Sequence, residues 1–300
     1  METERKSPRY SGIDSWEPAD ILDAMIEGQF AAVAAVRQAR VAIEDAVRAM
    51  ELRLAEGGRL IYAGAGTSGR LAVQDGAELM PTFSWPPERL VLLIAGGEEA
   101  LLRAVEGAED EIGHAHDEMA KHAVVPEDVL ICVAASGTTP FTLGCLRAAK
   151  SAGALTVGIA NNPGTPLLAE SDHPILLDTG PEPIAGSTRM KAGTAQRIAM
   201  NLLSSVLMIR MGRVYEGLMV DVQASNKKLE RRSEEMLRHL TGRSGEEART
   251  ALASADGSVK LAVLLLNGCR PEEAKALLDR NDGHLRAALA ELRASRAAPD

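Results

Sequence analysis

Two stretches of this 300-residue chain share one pattern, an apolar run that ends in Gly, Ser and Thr and then continues with helical periodicity. The first is Arg59-Leu-Ile-Tyr-Ala-Gly-Ala-Gly-Thr-Ser-Gly-Arg70, and the second is Val129-Leu-Ile-Cys-Val-Ala-Ala-Ser-Gly-Thr-Thr-Pro140. The pattern predicts a buried parallel strand, a tight turn and a helix start. A helix start attracts anions through its unpaired N–H groups and its dipole. Two such loops on one sheet predict a phosphate held from two sides, and therefore a phosphorylated small molecule as ligand.

The composition narrows the class of ligand and the cellular setting. A formal net charge of -9 argues against nucleic acid as the main partner, and 3% aromatic residues leave few side chains for base stacking. No apolar run approaches the length of a membrane span. The three cysteines are widely spaced in apolar stretches, which is typical of buried thiols in a reducing compartment. We therefore expect a cytoplasmic protein that binds neither nucleic acid nor a membrane.

Strand-like and helix-like segments alternate through the first two thirds of the chain. Residues 17–56 show helical periodicity, and Gly57-Gly58 ends this region. Five strand-like runs follow, at Leu60–Ala63, Leu90–Ala95, Val129–Ala134, Leu155–Ala160 and Pro174–Leu177. Near-continuous apolar strands separated by helices predict an α/β fold with a doubly wound five-stranded parallel sheet. The loops at the carboxyl ends of the strands then lie along one edge, where such folds bind ligands.

The composition changes in the C-terminal third of the chain. A long apolar helix is predicted from Ala195 to about Met211, and Lys227–Arg232 is typical of a solvated, charged helix face. From Thr241 onward, short helical segments are separated by glycines. The predicted division is an N-terminal helical region at 1–50, an α/β domain with the two phosphate loops at 51–215, a linker with a charged helix at 216–240, and a small helical domain at 241–300.

The first loop also fits a different class of ligand. Gly64-Ala-Gly66-Thr-Ser-Gly69 matches the G-x-G-x-x-G fingerprint of dinucleotide-binding folds. Such a site also needs an acidic residue after the second strand to bind the ribose, and Glu98 would have to take that role. However, Thr67 and Ser68 occupy the interior of the turn, where a pyrophosphate needs backbone more than side chains. A dinucleotide also leaves the second Ser/Thr loop unexplained. We therefore favour a sugar phosphate over a dinucleotide.

Charged side chains provide candidates for chemistry but no metal site. Glu78 lies at the far end of the helix that begins at the first loop. Glu109 follows Gly107 in Ala104-Val-Glu-Gly-Ala-Glu-Asp110, where composition alone does not separate it from Glu106 or Asp110. The six histidines lack ligand spacing: the closest pair, two residues apart, points about 200° apart on a helix. We therefore predict no metal.

Two basic residues stand at another predicted helix start. Arg189 and Lys191 occur in Gly186-Ser-Thr-Arg-Met-Lys-Ala-Gly-Thr194. Their charges suit either a substrate anion or a salt bridge to a neighbouring acid. The sequence does not decide between these alternatives, and neither residue is counted among the predicted catalytic residues.

Several motifs occur in order along nearly the whole chain. They are Thr3-Glu4-Arg5, Gly64-Ala-Gly-Thr-Ser-Gly-Arg70, Asp75-Gly-Ala-Glu78, Ala104-Val-Glu-Gly-Ala-Glu-Asp110, Ala135-Ser-Gly-Thr-Thr-Pro140, Gly186-Ser-Thr-Arg-Met-Lys-Ala-Gly-Thr-Ala-Gln196 and Leu218-Met-Val-Asp-Val222. Together they resemble the N-acetylmuramic acid 6-phosphate etherase family. The wider group is the sugar isomerase (SIS) domain superfamily, whose doubly wound sheet holds phosphosugars. This resemblance agrees with the loops.

The resemblance implies an enzyme, a carbon–oxygen lyase that cleaves the D-lactyl ether of N-acetylmuramic acid 6-phosphate. The products are N-acetylglucosamine 6-phosphate and D-lactate, in amino-sugar catabolism and cell-wall recycling. Glu78 and Glu109 match the catalytic glutamates, with the acid/base role on Glu78. By analogy within the superfamily, the phosphate is held by Thr67, Ser68, Ser136, Gly137 and Thr139. No metal or other cofactor is implied, and a homodimer is expected.

Two rival functions share this predicted fold. A sugar-phosphate-sensing regulator would bind the ligand without turning it over, and it would need neither glutamate. A sugar-phosphate isomerase would also remove the C2 proton but would not release lactate. Release of lactate therefore separates the three hypotheses.

Overall fold

The predicted sheet is present and parallel throughout. The computed structural model describes residues 1–222 and 227–297. Its sheet consists of β1 (Leu60–Gly64), β2 (Leu90–Ile94), β3 (Val129–Val133), β4 (Leu155–Ala160) and β5 (His173–Leu176). Every adjacent pair runs parallel, which confirms the predicted α/β class and the doubly wound sheet.

The strand order places one pair of neighbouring strands at a special position. The order is β2-β1-β3-β4-β5, so the direction of winding reverses between β1 and β3. In this type of sheet, ligands bind outside the carboxyl ends of the strands at that reversal point. The two strands end level with each other, because Gly64 pairs with Val133 in the register. The two predicted phosphate loops follow these two strands.

Helices and a short hairpin account for most of the remaining chain. Before the hairpin, the helices are α1 (Pro18–Gln38), α2 (Arg40–Ala55), α3 (Gly66–Ala77), α4 (Leu79–Phe83), α5 (Ile112–Lys121), α6 (Pro140–Ser151), α7 (Pro166–Glu170) and α8 (Lys191–Arg210). The later elements are β6 (Val214–Tyr215), β7 (Leu218–Met219), α9 (Lys227–Thr241), α10 (Gly245–Ser254), α11 (Val259–Leu266), α12 (Pro271–Arg280) and α13 (Leu285–Ala297). The helical region predicted at 17–56 is interrupted at Ala39, and the helix predicted from Ala195 begins earlier, at Lys191.

The chain separates into two compact units. The first consists of Met1–Ala77 and Pro87–Ser205, and the second of Glu78–Pro86 and Val206–Asp300. The division predicted from the sequence, with boundaries after residues 50, 215 and 240, stays a prediction. Residues 223–226 and 298–300 of the predicted linker and C-terminal domain lie outside the described residues.

The first unit has its hydrophobic core on the sheet. All residues of β1 and β3 are buried, because helices cover both faces of a parallel sheet. The side chains on one face pack against α5 and α6, where Ala115, Phe141 and Cys145 are fully buried. This packing fixes the strand ends from which the two loops emerge.

The second unit has its own core and a partly buried charge cluster. Apolar side chains from β6, β7 and α9 through α13 form this core. Within the unit, the buried Lys260 ammonium lies 2.7 Å from the Asp221 carboxylate, and Arg213 lies 3.8 Å from the same group. Burial lowers the pKa of Lys260, and the Asp221 charge opposes that shift. The Arg213 guanidinium also stacks over the Trp85 ring and donates to the Phe83 carbonyl.

Candidate functional site

The first loop places a helix start directly against the end of β1. A Cβ atom at position 69 would lie 2.8 Å from the Gly64 carbonyl oxygen and 2.8 Å from Ile94 Cγ1. Only glycine allows this approach of α3 to the strand. Thr67 is half-buried and Ser68 is buried, both in the first turn of α3. The first-turn N–H groups have no acceptor within the helix and are therefore available to an anion.

The second loop follows β3 and leads into α6. Gly137 has φ +68°, and a Cβ atom there would lie 2.2 Å from Thr165 Oγ1, so this turn also requires glycine. The Ser136 hydroxyl accepts a hydrogen bond from the Thr138 N–H and lies 3.3 Å from the Thr139 hydroxyl. Thr139 is the N-cap residue of α6, and no hydrogen bond caps the helix through its side chain. Hydroxyl groups and helix N–H groups therefore gather at this turn.

The fold brings the two loops to the same place. They leave neighbouring strands at the same level, at the point where the order of the sheet reverses. Both open a helix, so the positive ends of two helix dipoles lie at one edge. The five phosphate-binding candidates, Thr67, Ser68, Ser136, Gly137 and Thr139, all belong to this edge of the first unit. This arrangement suits a phosphate group.

Glu109 lines a small cavity beside the first loop. The cavity has a volume of about 230 Å³ and is lined by Ala65, Gly66, Arg70, Ala95, Ala100, Ala104, Val105, Glu106, Gly107, Ala108 and Glu109. Two short 3-10 turns, Glu98–Leu101 and Ala108–Asp110, form the segment that carries Glu109. Glu106 and Glu109 are both exposed, so the geometry keeps both as candidates. A carboxylate therefore stands in the same cavity as the start of α3.

Arg70 joins the segment that carries Glu109 to the first loop. Its Nε donates to the Ala100 carbonyl at 2.8 Å, and Nη2 donates to the Arg103 carbonyl at 2.9 Å. Arg70 is itself in the second turn of α3. The guanidinium therefore fixes the position of the 3-10 segment relative to the candidate phosphate site.

Glu78 lies at the junction between α3 and α4. It follows the last residue of α3 and is the N-cap residue of α4, with an exposed side chain. The structure therefore places it at the far end of the helix that starts at the first loop, as the sequence predicts. Glu78 belongs to the second unit, whereas Glu109 and the five phosphate-binding candidates belong to the first.

The helix start near Arg189 and Lys191 already has an anion of its own. The Glu182 carboxylate accepts the N–H groups of Lys191 at 3.2 Å and Ala192 at 2.8 Å. Burial raises the pKa of Glu182. Burial also lowers the pKa of Lys191, and the negative charge of Glu182 opposes this shift. The side chain of Arg189 is exposed. The start of α8 is thus capped internally by Glu182, a role that no pattern in the sequence indicates.

The described part of the chain contains neither a metal-ligand cluster nor a helix suited to cross a membrane. Within residues 1–222 and 227–297, no group of three or more His, Cys, Asp or Glu side chains is arranged to hold a metal ion. Over the same residues, no helix has both the length and the apolar character that crossing a membrane requires.

Two domain families match parts of the chain. Residues 42–150 match the family described as the glucokinase regulatory protein N-terminal SIS domain, and residues 109–205 match the SIS domain family. Both matches cover segments of the sheet and its loops. Among solved structures, a phosphoheptose isomerase from Francisella tularensis superimposes with a TM-score of 0.51 at 19% identity, covering 65% of this chain and all of that one. This likeness supports the SIS-type fold.

Full-length relatives are considerably more similar. N-acetylmuramic acid 6-phosphate etherase of Deinococcus radiodurans is 52% identical over 96% of this chain and 95% of its own length. The protein of the same name from Streptomyces avermitilis is 46% identical over 97% of this chain and 94% of its own. A third, from Halalkalibacterium halodurans, is 41% identical over 97% and 98%. Identity at this level spans both units of the chain.

Proposed function

This chain belongs to the N-acetylmuramic acid 6-phosphate etherase family, and we propose that it cleaves the D-lactyl ether of N-acetylmuramic acid 6-phosphate. The products are N-acetylglucosamine 6-phosphate and D-lactate. The reaction belongs to amino-sugar catabolism and cell-wall recycling in the cytoplasm. One observation supports this proposal most strongly: two helix starts rich in hydroxyl groups lie at the reversal point of the sheet, with a carboxylate in the adjoining cavity.

The proposed reaction is an elimination followed by addition of water. The ether oxygen is on C3, which is β to the C1 aldehyde of the open-chain sugar, so the carbonyl acidifies the C2 proton. A carboxylate takes that proton, the C3–O bond breaks, and its electron pair leaves on the oxygen of D-lactate, which is then protonated. Water adds to C3 of the unsaturated intermediate, and C2 regains a proton. The enzyme is therefore proposed to be a carbon–oxygen lyase.

The proposed roles of the residues follow from this sequence of steps. Glu78 removes the C2 proton and later returns one, and Glu109 assists protonation of the leaving lactate or addition of water. The two Ser/Thr loops hold the phosphate, which is remote from the bonds that change. Binding energy from that contact orients C2 and C3 for the bond changes.

Isotopic labelling tests the proposed bond cleavage. In H₂¹⁸O we expect the label in the C3 hydroxyl of N-acetylglucosamine 6-phosphate and unlabelled D-lactate, because elimination breaks the bond between C3 and the ether oxygen. In D₂O we expect one deuterium at C2 of the sugar. Label in the D-lactate hydroxyl would mean attack on the lactyl carbon, and it would exclude the lyase mechanism.

A sugar-phosphate-sensing regulator is the second candidate. The match of residues 42–150 to the SIS domain family of a regulatory protein supports this candidate. A regulator would bind N-acetylmuramic acid 6-phosphate and return it unchanged, whereas an etherase consumes it. Mass spectrometry of the ligand after prolonged incubation distinguishes the two functions.

The proposed assembly is a homodimer in which α1 packs against a second copy of the chain. Four apolar residues form one exposed stripe on α1: Leu22 (59% exposed), Ile26 (53%), Phe30 (70%) and Val33 (53%). The opposite face, with Ala24, Gly28, Ala32 and Ala35, is buried within the first unit. An apolar stripe of this length is typical of an interface.

Phe30→Asp is expected to shift the protein from a dimer to a monomer. The substitution puts a charge at the most exposed residue of the stripe. Dimer formation would then bury this charge away from water, which is unfavourable. Light scattering after size-exclusion chromatography measures the mass. Leu52→Asp, at a 71% exposed position on α2, is the matched control and should keep the wild-type mass. A monomeric wild-type protein would refute the proposed dimer.

A further inference from the structure

Thr3, the first residue of the motif Thr3-Glu4-Arg5, holds the start of the chain at the carboxyl edge of the sheet. Thr3 is fully buried, although its neighbours Glu2 and Glu4 are more exposed. Its N–H donates to Asn162 Oδ1 at 3.2 Å, and its hydroxyl accepts from Asn162 Nδ2 at 2.9 Å. The Thr3 carbonyl accepts the Gly186 N–H at 3.0 Å. We call Thr3, Asn162 and Gly186 the Thr3 cluster.

The Asn162 side of the cluster leads to the second phosphate loop. Asn162 is 2% exposed, and its Nδ2 also donates to the Ala135 carbonyl at 2.8 Å. Ala135 directly precedes Ser136. One amide group is therefore shared between the hydroxyl of Thr3 and the backbone on which Ser136 is held. Movement of Thr3 would disturb the orientation of that amide and, through it, the loop.

The Gly186 side leads to the first phosphate loop. Gly186 opens the segment that ends in the first turn of α8, where the Gly193 N–H donates to the Thr188 carbonyl at 2.8 Å. A Cβ atom at Gly193 would lie 3.6 Å from Thr67 Cγ2, so this turn packs on the first loop. The Thr3 cluster is thus connected to both loops, by hydrogen bonds on one side and by packing on the other.

We propose that Thr3 is a positioning residue for the sugar-phosphate site: through Asn162 and Gly186 it sets the separation of the two loops that hold the phosphate. This inference rests on the proposed function, because it assumes that the loops bind that group. Thr3 itself contacts no substrate. Its effect is therefore on the affinity for sugar phosphates and not on the proton-transfer step.

Three variants test this role by calorimetric titration with N-acetylglucosamine 6-phosphate. Thr3→Val keeps the volume but removes the acceptor for Asn162, and we expect it to weaken binding by about three- to tenfold, the scale of one lost hydrogen bond. Thr3→Ser keeps the hydroxyl and should bind within about twofold of wild type. Glu2→Gln, at a solvent-accessible neighbour that pairs with Arg5, is the control and should bind as wild type does. In turnover, Thr3→Val should raise KM and leave kcat nearly unchanged.

Two results would overturn the inference. One is wild-type affinity in a folded Thr3→Val protein, which would leave Thr3 with a purely structural role even if the melting temperature fell. The other applies if Thr3→Val does not fold: hydrogen exchange on the wild type must then slow at Gly186 when the sugar phosphate binds, and unchanged exchange there refutes the coupling. A wild type that neither binds the sugar phosphate nor releases D-lactate would instead refute the proposed function.

Discussion

Glu78→Gln is expected to lower the rate of D-lactate release from N-acetylmuramic acid 6-phosphate by about 10²–10⁴-fold, the usual contribution of a general acid–base group. Glutamine has nearly the same shape as glutamate, but its amide cannot take the C2 proton. Glu78 is exposed at the junction of α3 and α4, so the substitution removes no buried contact. We therefore expect unchanged stability and unchanged binding of N-acetylglucosamine 6-phosphate.

Two measurements check this expectation. Enzymatic assay of D-lactate gives the rate, and exchange of the C2 proton in D₂O reports the proton-transfer step alone. Both should fall together in Glu78→Gln. The matched control is Glu88→Gln, another exposed glutamate, which lies in the 3-10 turn Pro87–Arg89 and should retain wild-type rates. Lactate release within a few-fold of wild type in Glu78→Gln would remove Glu78 from the acid/base role.

Gly69→Ala is expected to damage both the stability of the first unit and the phosphate site. The new methyl group would lie 2.8 Å from the Gly64 carbonyl oxygen and from Ile94 Cγ1, so α3 has to move away from β1. Overpacking of this kind costs about 1–3 kcal/mol of unfolding free energy. The same movement displaces Thr67 and Ser68, and a shift of about 1 Å lowers kcat/KM by about 10²-fold.

Chemical denaturation and steady-state kinetics measure the two effects. Gly113→Ala is the control, because position 113 lies in α5 and a Cβ atom there meets no atom within 4 Å. Alanine should stabilise that helix by up to about 1 kcal/mol and leave the kinetics unchanged. Wild-type kcat/KM in Gly69→Ala would contradict the close contact between α3 and β1 as the basis of the site.

Local pattern predicted most of the sheet. The apolar runs at Leu60–Ala63 and Val129–Ala134 are strands in the structure to within a residue, because a parallel strand buried on both faces must be apolar throughout. The Gly, Ser and Thr residues after them marked the helix starts correctly.

Contacts between distant residues could not be predicted in the same way. Thr3 and Asn162 are 159 positions apart, and no periodicity relates them. Glu182 caps α8 by accepting the N–H of Lys191, the first residue of the helix, which lies nine positions later in the chain. A capping box joins residues only three positions apart. Arg70 is part of the first sequence motif, but its hydrogen bonds to the Ala100 and Arg103 carbonyls depend on how the 3-10 segment folds back on α3. These contacts arise from tertiary packing, and a single sequence does not encode them as a local pattern.

The most direct test of the central claim is a product balance for the wild-type protein with N-acetylmuramic acid 6-phosphate. D-lactate and N-acetylglucosamine 6-phosphate should appear in a 1:1 ratio as the substrate disappears, because one ether bond is cleaved per turnover. A folded protein that binds the substrate and returns it intact, with neither product formed, would contradict the etherase function and favour a sugar-phosphate sensor.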